Sequence, residues 1–258
     1  MAESKEKSVQ KTVIYCGGSK GGCGKSLAAG SITDVLLEAG KQVTLLDCDK
    51  ANADAKLWCG SPANSVQGGN QGGSQLLKCV LAPVTDEFDP LVDAICAAKS
   101  EIVVVNAGAG DVGLFVDSEV DVPMLSGAVN KYGWRFLLLY FLTPSIGSIR
   151  PLLPLAQASM SWAEIVVLRN LYFRIDHFKV WEELVDSTNP KQTIRSTVMK
   201  LGVKEENWPV LGPSVVLAAH SAGWTSLRHL EASAVGAVVF KVFDYRKGVR
   251  ELLKGWKI

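Results

Sequence analysis

The chain has 258 residues, of which 48% are hydrophobic and 21% charged, with a formal net charge of +1; this is a globular composition, large enough for one α/β domain and too balanced for a general attraction to polyanions. Its six cysteines, Cys16, Cys23, Cys48, Cys59, Cys79 and Cys96, form no C-x-x-C pair and no Cys/His cluster with zinc spacing, which reads as reduced thiols in a cytoplasmic protein. The opening MAESKEKSVQK lacks the apolar core of a secretory signal, and no apolar run reaches the roughly 18 residues needed to cross a bilayer.

Residues 1–11 read as a flexible terminus. TVIYC (12–16) reads as a strand, and SLAAGSITDVLLEAG (26–40) has the apolar spacing of a helix. QVTLLD (42–47) is the second strand. GSPANSVQGGNQGGSQ (60–75), with no period and little apolar surface to offset its ordering entropy, reads as a mobile loop. PLVDAICAAK is helical, and EIVVVN (101–106), RFLLLYFL (135–142) and AEIVVL (163–168) are strands apolar enough to be buried on both sides. IRPLLPLAQASM (149–160) reads as a helix, FRIDHFKVWEELVDST (173–188) as an amphipathic helix, VVLAA (215–219) as a strand and DYRKGVRELLKGW (244–256) as the last helix. This alternation predicts a doubly wound, mostly parallel sheet with helices on both faces, in one domain spanning residues 1–258.

The segment GGSKGGCGKS (17–26) lies between the first strand and the first helix. A strand that enters a Gly-rich turn and then a helix gathers backbone N–H groups and the positive helix end around one point, a geometry that binds phosphate. Side chains at the glycines would block close approach of the backbone. Lys25 then reaches the β/γ-phosphates as a point charge, and the Ser26 hydroxyl is placed to ligate Mg²⁺. The ordinary formula G-x-x-x-x-G-K-[ST] would require glycine where Ser19 stands; the match is to K-G-G-x-G-K-[ST], with a second lysine, Lys20. In LLDCDKANAD (45–54), Asp47 and Asp49 are one residue apart in an extended segment and project to the same side.

With these residues the sequence resembles the ParA/MinD family of deviant Walker A P-loop ATPases. The resemblance implies ATP or ADP bound by Ser19, Lys20, Gly21, Gly22, Cys23, Gly24, Lys25, Ser26 and Leu27, and Mg²⁺ held by Ser26, Asp47 and Asp49. It gives Lys20, Lys25 and Asp49 catalytic roles, with Asp49 orienting the attacking water. Lys20 would reach across a homodimer interface to the nucleotide of the other copy. Asn170, at the end of the fifth strand, would read the adenine edge; the competing account is a turn asparagine with no ligand. Where the family usually carries aspartate followed by a short Pro/Gly loop, this chain has Asn106 in IVVVNAGAGDVG. Its amide offers the metal shell no charge, although its carbonyl can accept from metal-bound water. The expectation is therefore slow hydrolysis, or compensation by Asp111.

The spacing Asp47, Asp49, Asn52 and the V-L-R-N strand end look most like plasmid partition and conjugation ATPases of the TraL/StbB kind, which implies a plasmid-encoded DNA-binding or transfer partner. The alternatives are a nucleotide-binding adaptor with little or no hydrolysis and a metabolic ligase of the dethiobiotin-synthetase kind. Six basic residues between Lys241 and Lys257 flank Val249, Leu252, Leu253 and Trp256. A helix of that pattern fits three accounts: a DNA contact at the nucleoid, a helix lying on the inner membrane, or a last helix packed on the sheet, which is the favoured one.

Overall fold

The computed structural model describes residues 10–48, 55–58, 78–80, 89–108, 122–222 and 226–258. The expectations for residues 1–9, Asp49, Asn52, the 60–75 loop and Asp111 lie outside these residues.

Among the described residues the strands are β1 (Thr12–Gly17), β2 (Val43–Asp47), β3 (Lys78–Val80), β4 (Ile102–Asn106), β5 (Arg135–Leu142), β6 (Glu164–Asn170), β7 (Val185–Asp186), β8 (Asn189–Thr193) and β9 (Lys204–Trp208). Seven form one sheet in the order β3-β2-β4-β1-β5-β6-β9, every neighbouring pair parallel, while β7 and β8 make a separate antiparallel hairpin. The continuous apolarity of β5 follows from its position inside the sheet. Phe136, Leu138, Tyr140 and Leu142 face one helical layer, and Leu137, Leu139 and Phe141 face the other. Val122, Leu125, Leu152, Phe178 and Trp181 complete the first layer; Ala28, Ile32, Val215, Val242 and Val249 belong to the second. This is the doubly wound architecture expected.

Three elements differ from the sequence reading. VVLAA is not a strand: it lies in the helix Pro213–Ser221, with Val215 and Ala219 buried one turn apart and Leu217 between them 66% exposed. The strand beside β6 is instead KEENW, β9. It hides from hydropathy because an edge strand has a solvated side: Lys204, Glu206 and Asn207 are exposed, and Trp208 is buried. Glu205 on that edge pairs with Arg169 at 3.1 Å and Arg195 at 2.8 Å. Second, the helix expected over 149–160 is divided into Ile146–Ile149 and Leu152–Ser159, because Pro151 cannot donate a backbone hydrogen bond. Third, residues 173–188 form short 3₁₀ segments and the helix Lys179–Glu183, interrupted at Arg174, whose φ of 61° no helix continues.

The last helix runs Ala237–Gly255; the apolar stripe near its C-terminal end is in the core, whereas Phe240 and Phe243 nearer its start are exposed. Val249, Leu253 and Trp256 are buried and Leu252 packs against the same cluster, so this stripe is not a membrane-facing surface. Of its basic residues, Arg246 is 1% exposed, within 3.3 Å of Asp34 and 2.9 Å of Glu38, and bonded to Glu231. Arg250 adds a 2.8 Å pair to Glu38. The helix Lys25–Glu38 is thus fastened to the last helix by buried charge, supplemented by Ser31 Oγ and the Tyr245 hydroxyl at 3.0 Å.

Removing one partner of such a cluster strands the others. Arg246→Ala is expected to cost about 3–5 kcal/mol in urea unfolding. Asp34 adds a pH signature. Burial, opposed by Arg246 and Arg228, lifts its carboxyl from 3.8 to about 6. The folded state therefore takes up this proton before the unfolded chain does, so the contribution is complete below the unfolded value and is lost as pH rises through about 6. Urea titrations should show wild type gaining stability relative to Asp34→Asn as pH falls from 7 to about 4.

Candidate functional site

The carboxyl ends of β1, β2, β4, β5 and β6 open on one edge of the sheet, and the chain leaving β1 turns there into the helix Lys25–Glu38. The turn depends on left-handed backbone at Gly22 (φ 69°) and Gly24 (φ 102°). Gly24 is also the N-cap residue, with no side-chain cap and no acidic residue in the first helical turn. The first N–H groups of the helix and its positive end therefore face the loop without a counter-charge of their own.

Lys25 is 5% exposed. Its ammonium donates to the Lys20 carbonyl at 3.0 Å and lies 3.7 Å from Cys23 Sγ. Burial pushes the Cys23 thiol up despite that ammonium, so the sulfur packs as a neutral thiol. Lys20 is exposed on the rim. Its side chain crosses Gly147, where a Cβ would come within 3.1 Å of Cε and 3.2 Å of Nζ. Ser19 Oγ donates to the Gly147 carbonyl at 3.1 Å. The segment behind that contact is held by Tyr140 OH donating to the Ser148 carbonyl at 2.8 Å and by Ser148 Oγ accepting from Thr143 N at 3.0 Å; burial raises the Tyr140 phenol to about 12. Sequence reasoning missed this wall. Its signal was the small-residue run TPSIGS at the end of a buried strand.

The second wall is polar and buried. Asn106, 0% exposed, is directly across from Asp47 on β2 and from Cys16 on β1. Its amide nitrogen donates to Asp47 Oδ1 at 2.8 Å and to Ser26 Oγ at 3.3 Å, and Asp47 Oδ2 accepts from Ala55 N at 3.1 Å. The remaining Asn106 oxygen, Oδ1, is buried and has no hydrogen-bond partner among the described residues. A hydroxyl, a carboxylate and an unmatched amide oxygen form an all-oxygen donor set, which fits a hard cation such as Mg²⁺. Among the described residues no group of three or more His, Cys, Asp or Glu could hold a different metal.

Asn170 stands apart from its expected role. It is 7% exposed; its amide nitrogen donates to the Cys23 carbonyl at 2.9 Å, and its oxygen accepts from Tyr172 N at 3.0 Å. A Cβ on Gly24 would lie 2.7 Å from that nitrogen. With one amide hydrogen and one oxygen lone pair engaged, Asn170 braces the loop from below.

No protein-family model matches the sequence, and no curated protein matches it. Solved structures do match. The MinD cell division protein of Aquifex aeolicus aligns with TM-score 0.51 at 17% identity, covering 94% of this chain and 97% of that one. The apo McdA structure from Cyanthece gives 0.51 at 14% identity over 95% and 99%. The MinC:MinD cell division complex of Aquifex aeolicus gives 0.50 at 14% identity over 94% and 96%. This chain thus has the fold of those proteins, over nearly its whole described length.

Asn170→Ala leaves the Cys23 carbonyl without its donor. The expected loss is about 1–3 kcal/mol, read by urea unfolding, with the fold unchanged by far-ultraviolet circular dichroism.

Proposed function

We propose that this chain is a P-loop ATPase of the ParA/MinD kind that dimerises around ATP and uses hydrolysis to time its association with a partner. One observation carries the reading: Lys25, Ser26, Asp47 and Asn106 converge behind the glycine loop, while Lys20 stands exposed on its rim. The uncapped helix start and Lys25 would hold the β/γ-phosphates. Ser26, Asp47 and the Asn106 oxygen would hold Mg²⁺, directly or through its waters, and the bound cation would neutralise charge developing on the transferred phosphoryl group. Asp49 is assigned the attacking water on the sequence motif. Lys20, exposed on the rim, would act on the nucleotide of a second copy. Asn106 supplies no charge where the resembled family carries aspartate, which favours slow turnover.

The cellular task we assign is plasmid partition or conjugative DNA positioning, with a plasmid-encoded DNA-binding or transfer protein as partner; the aspartate spacing and the V-L-R-N strand end support it. A second reading rests on the same asparagine: a nucleotide-loaded adaptor that does not hydrolyse. Phosphate release separates the two, since a switch ATPase loses turnover in Asp49→Ala, whereas an adaptor shows none in either protein.

Light scattering on the sized protein tests the switch. Wild type is expected to be monomeric with ADP and dimeric with a non-hydrolysable ATP analogue. Lys20→Ala should stay monomeric in both while binding nucleotide normally. Lys25→Ala should bind about 10- to 100-fold more weakly, the loss of one charge-assisted contact. A Lys20→Ala protein that dimerises and turns over ATP like wild type defeats the proposal.

A further inference from the structure

Residue 106 sits at the centre of the polar wall, and its chemistry decides whether that wall can exist without a cation. A buried carboxylate is costly unless donors or a counter-charge surround it. Asp47 is 1% exposed and has the Asn106 amide 2.8 Å from one oxygen and Ala55 N 3.1 Å from the other. The second hydrogen of the Asn106 amide is directed to Ser26 Oγ at 3.3 Å. An aspartate at 106 would set a second carboxylate against Asp47 across the β2–β4 pairing, an arrangement that needs a proton or a cation between the two groups. Asparagine needs neither.

We propose that Asn106 is a positioning residue that holds Ser26 and Asp47 in place in the absence of any cation, so that the pocket is built before metal or nucleotide arrives. The inference deepens the reading above and rests on it only for the identity of the cation. One side chain divides the work: its nitrogen organises the hydroxyl and the carboxylate, and its oxygen, without a partner among the described residues, would accept from water on a cation. Metal is then not a condition of folding.

Thermal unfolding of the full chain without nucleotide tests this, in EDTA and in excess MgCl₂. Wild type is expected to fold and melt cooperatively in EDTA, and MgCl₂ to raise its melting temperature by less than it raises that of N106D. N106D should melt about 3–6 °C lower in EDTA and recover in MgCl₂. The swap D47N/N106D, which restores one amide against one carboxylate, should melt in EDTA within about 1 °C of wild type. Rescue by the swap is a response that a packing defect at residue 106 would not give. The proposal is overturned if wild type fails to fold in EDTA, if N106D matches wild type in EDTA, or if the swap melts as low as N106D. Should N106D not fold in EDTA, the swap and wild type in the same buffer decide. Rescue by the swap without rescue by Mg²⁺ leaves the positioning role standing and removes the metal reading of the pocket. With ADP bound, N106D is also expected to bind Mn²⁺ about tenfold more tightly, by electron paramagnetic resonance.

Discussion

The amide hydrogens at the start of a helix have no partners within it, and here a glycine turn aims those of Lys25–Glu38 at the point where five parallel strands end. The surrounding features serve that arrangement. Gly24 gives up its side chain so that Asn170 can reach beneath the loop, and Asn170 in turn holds the Cys23 carbonyl. Ser19 ties the loop to the short helix Ile146–Ile149 that follows β5, and Lys25 is folded over the Lys20 carbonyl. A phosphate would therefore enter a frame already held on three sides.

The same helix is fixed at its other end by a different force. Asp34 and Glu38 face Arg246 and Arg250 from the last helix, and Ser31 meets Tyr245 midway. Breaking buried ion pairs of this kind is expensive, so the helix has little room to slide or tilt. Any response to a bound nucleotide would thereby be directed into the segments attached to the strand ends, among them the short helix Ile146–Ile149, whose Gly147 lies against the Lys20 side chain.

Much of this was legible in the residues. Buried strands announce themselves when both faces are apolar, which is why RFLLLYFL was bounded correctly, and a lysine–glycine loop between strand and helix has few other uses. The failures have physical causes. KEENW is half solvated and so lacked the apolar signature of its neighbours, while VVLAA has enough β-branched residues to mimic a strand although its burial recurs every four residues. Asn170 was assigned from its place at a strand end; that a glycine with φ 102° lies against it depends on a contact between residues far apart in sequence, which no local pattern reports. Asn106 was visible as a departure, but its bridging geometry comes from strand order.

The outer strand β9 has one further consequence. Lys204, Glu206 and Asn207 meet solvent there, and Glu205 is occupied by Arg169 and Arg195. A neighbouring molecule that tried to continue the sheet from this border would have to strip water from those ions and part those pairs before gaining a single backbone hydrogen bond. The border thus repels open-ended, fibre-like growth and leaves self-association to surfaces where a closed pair can form.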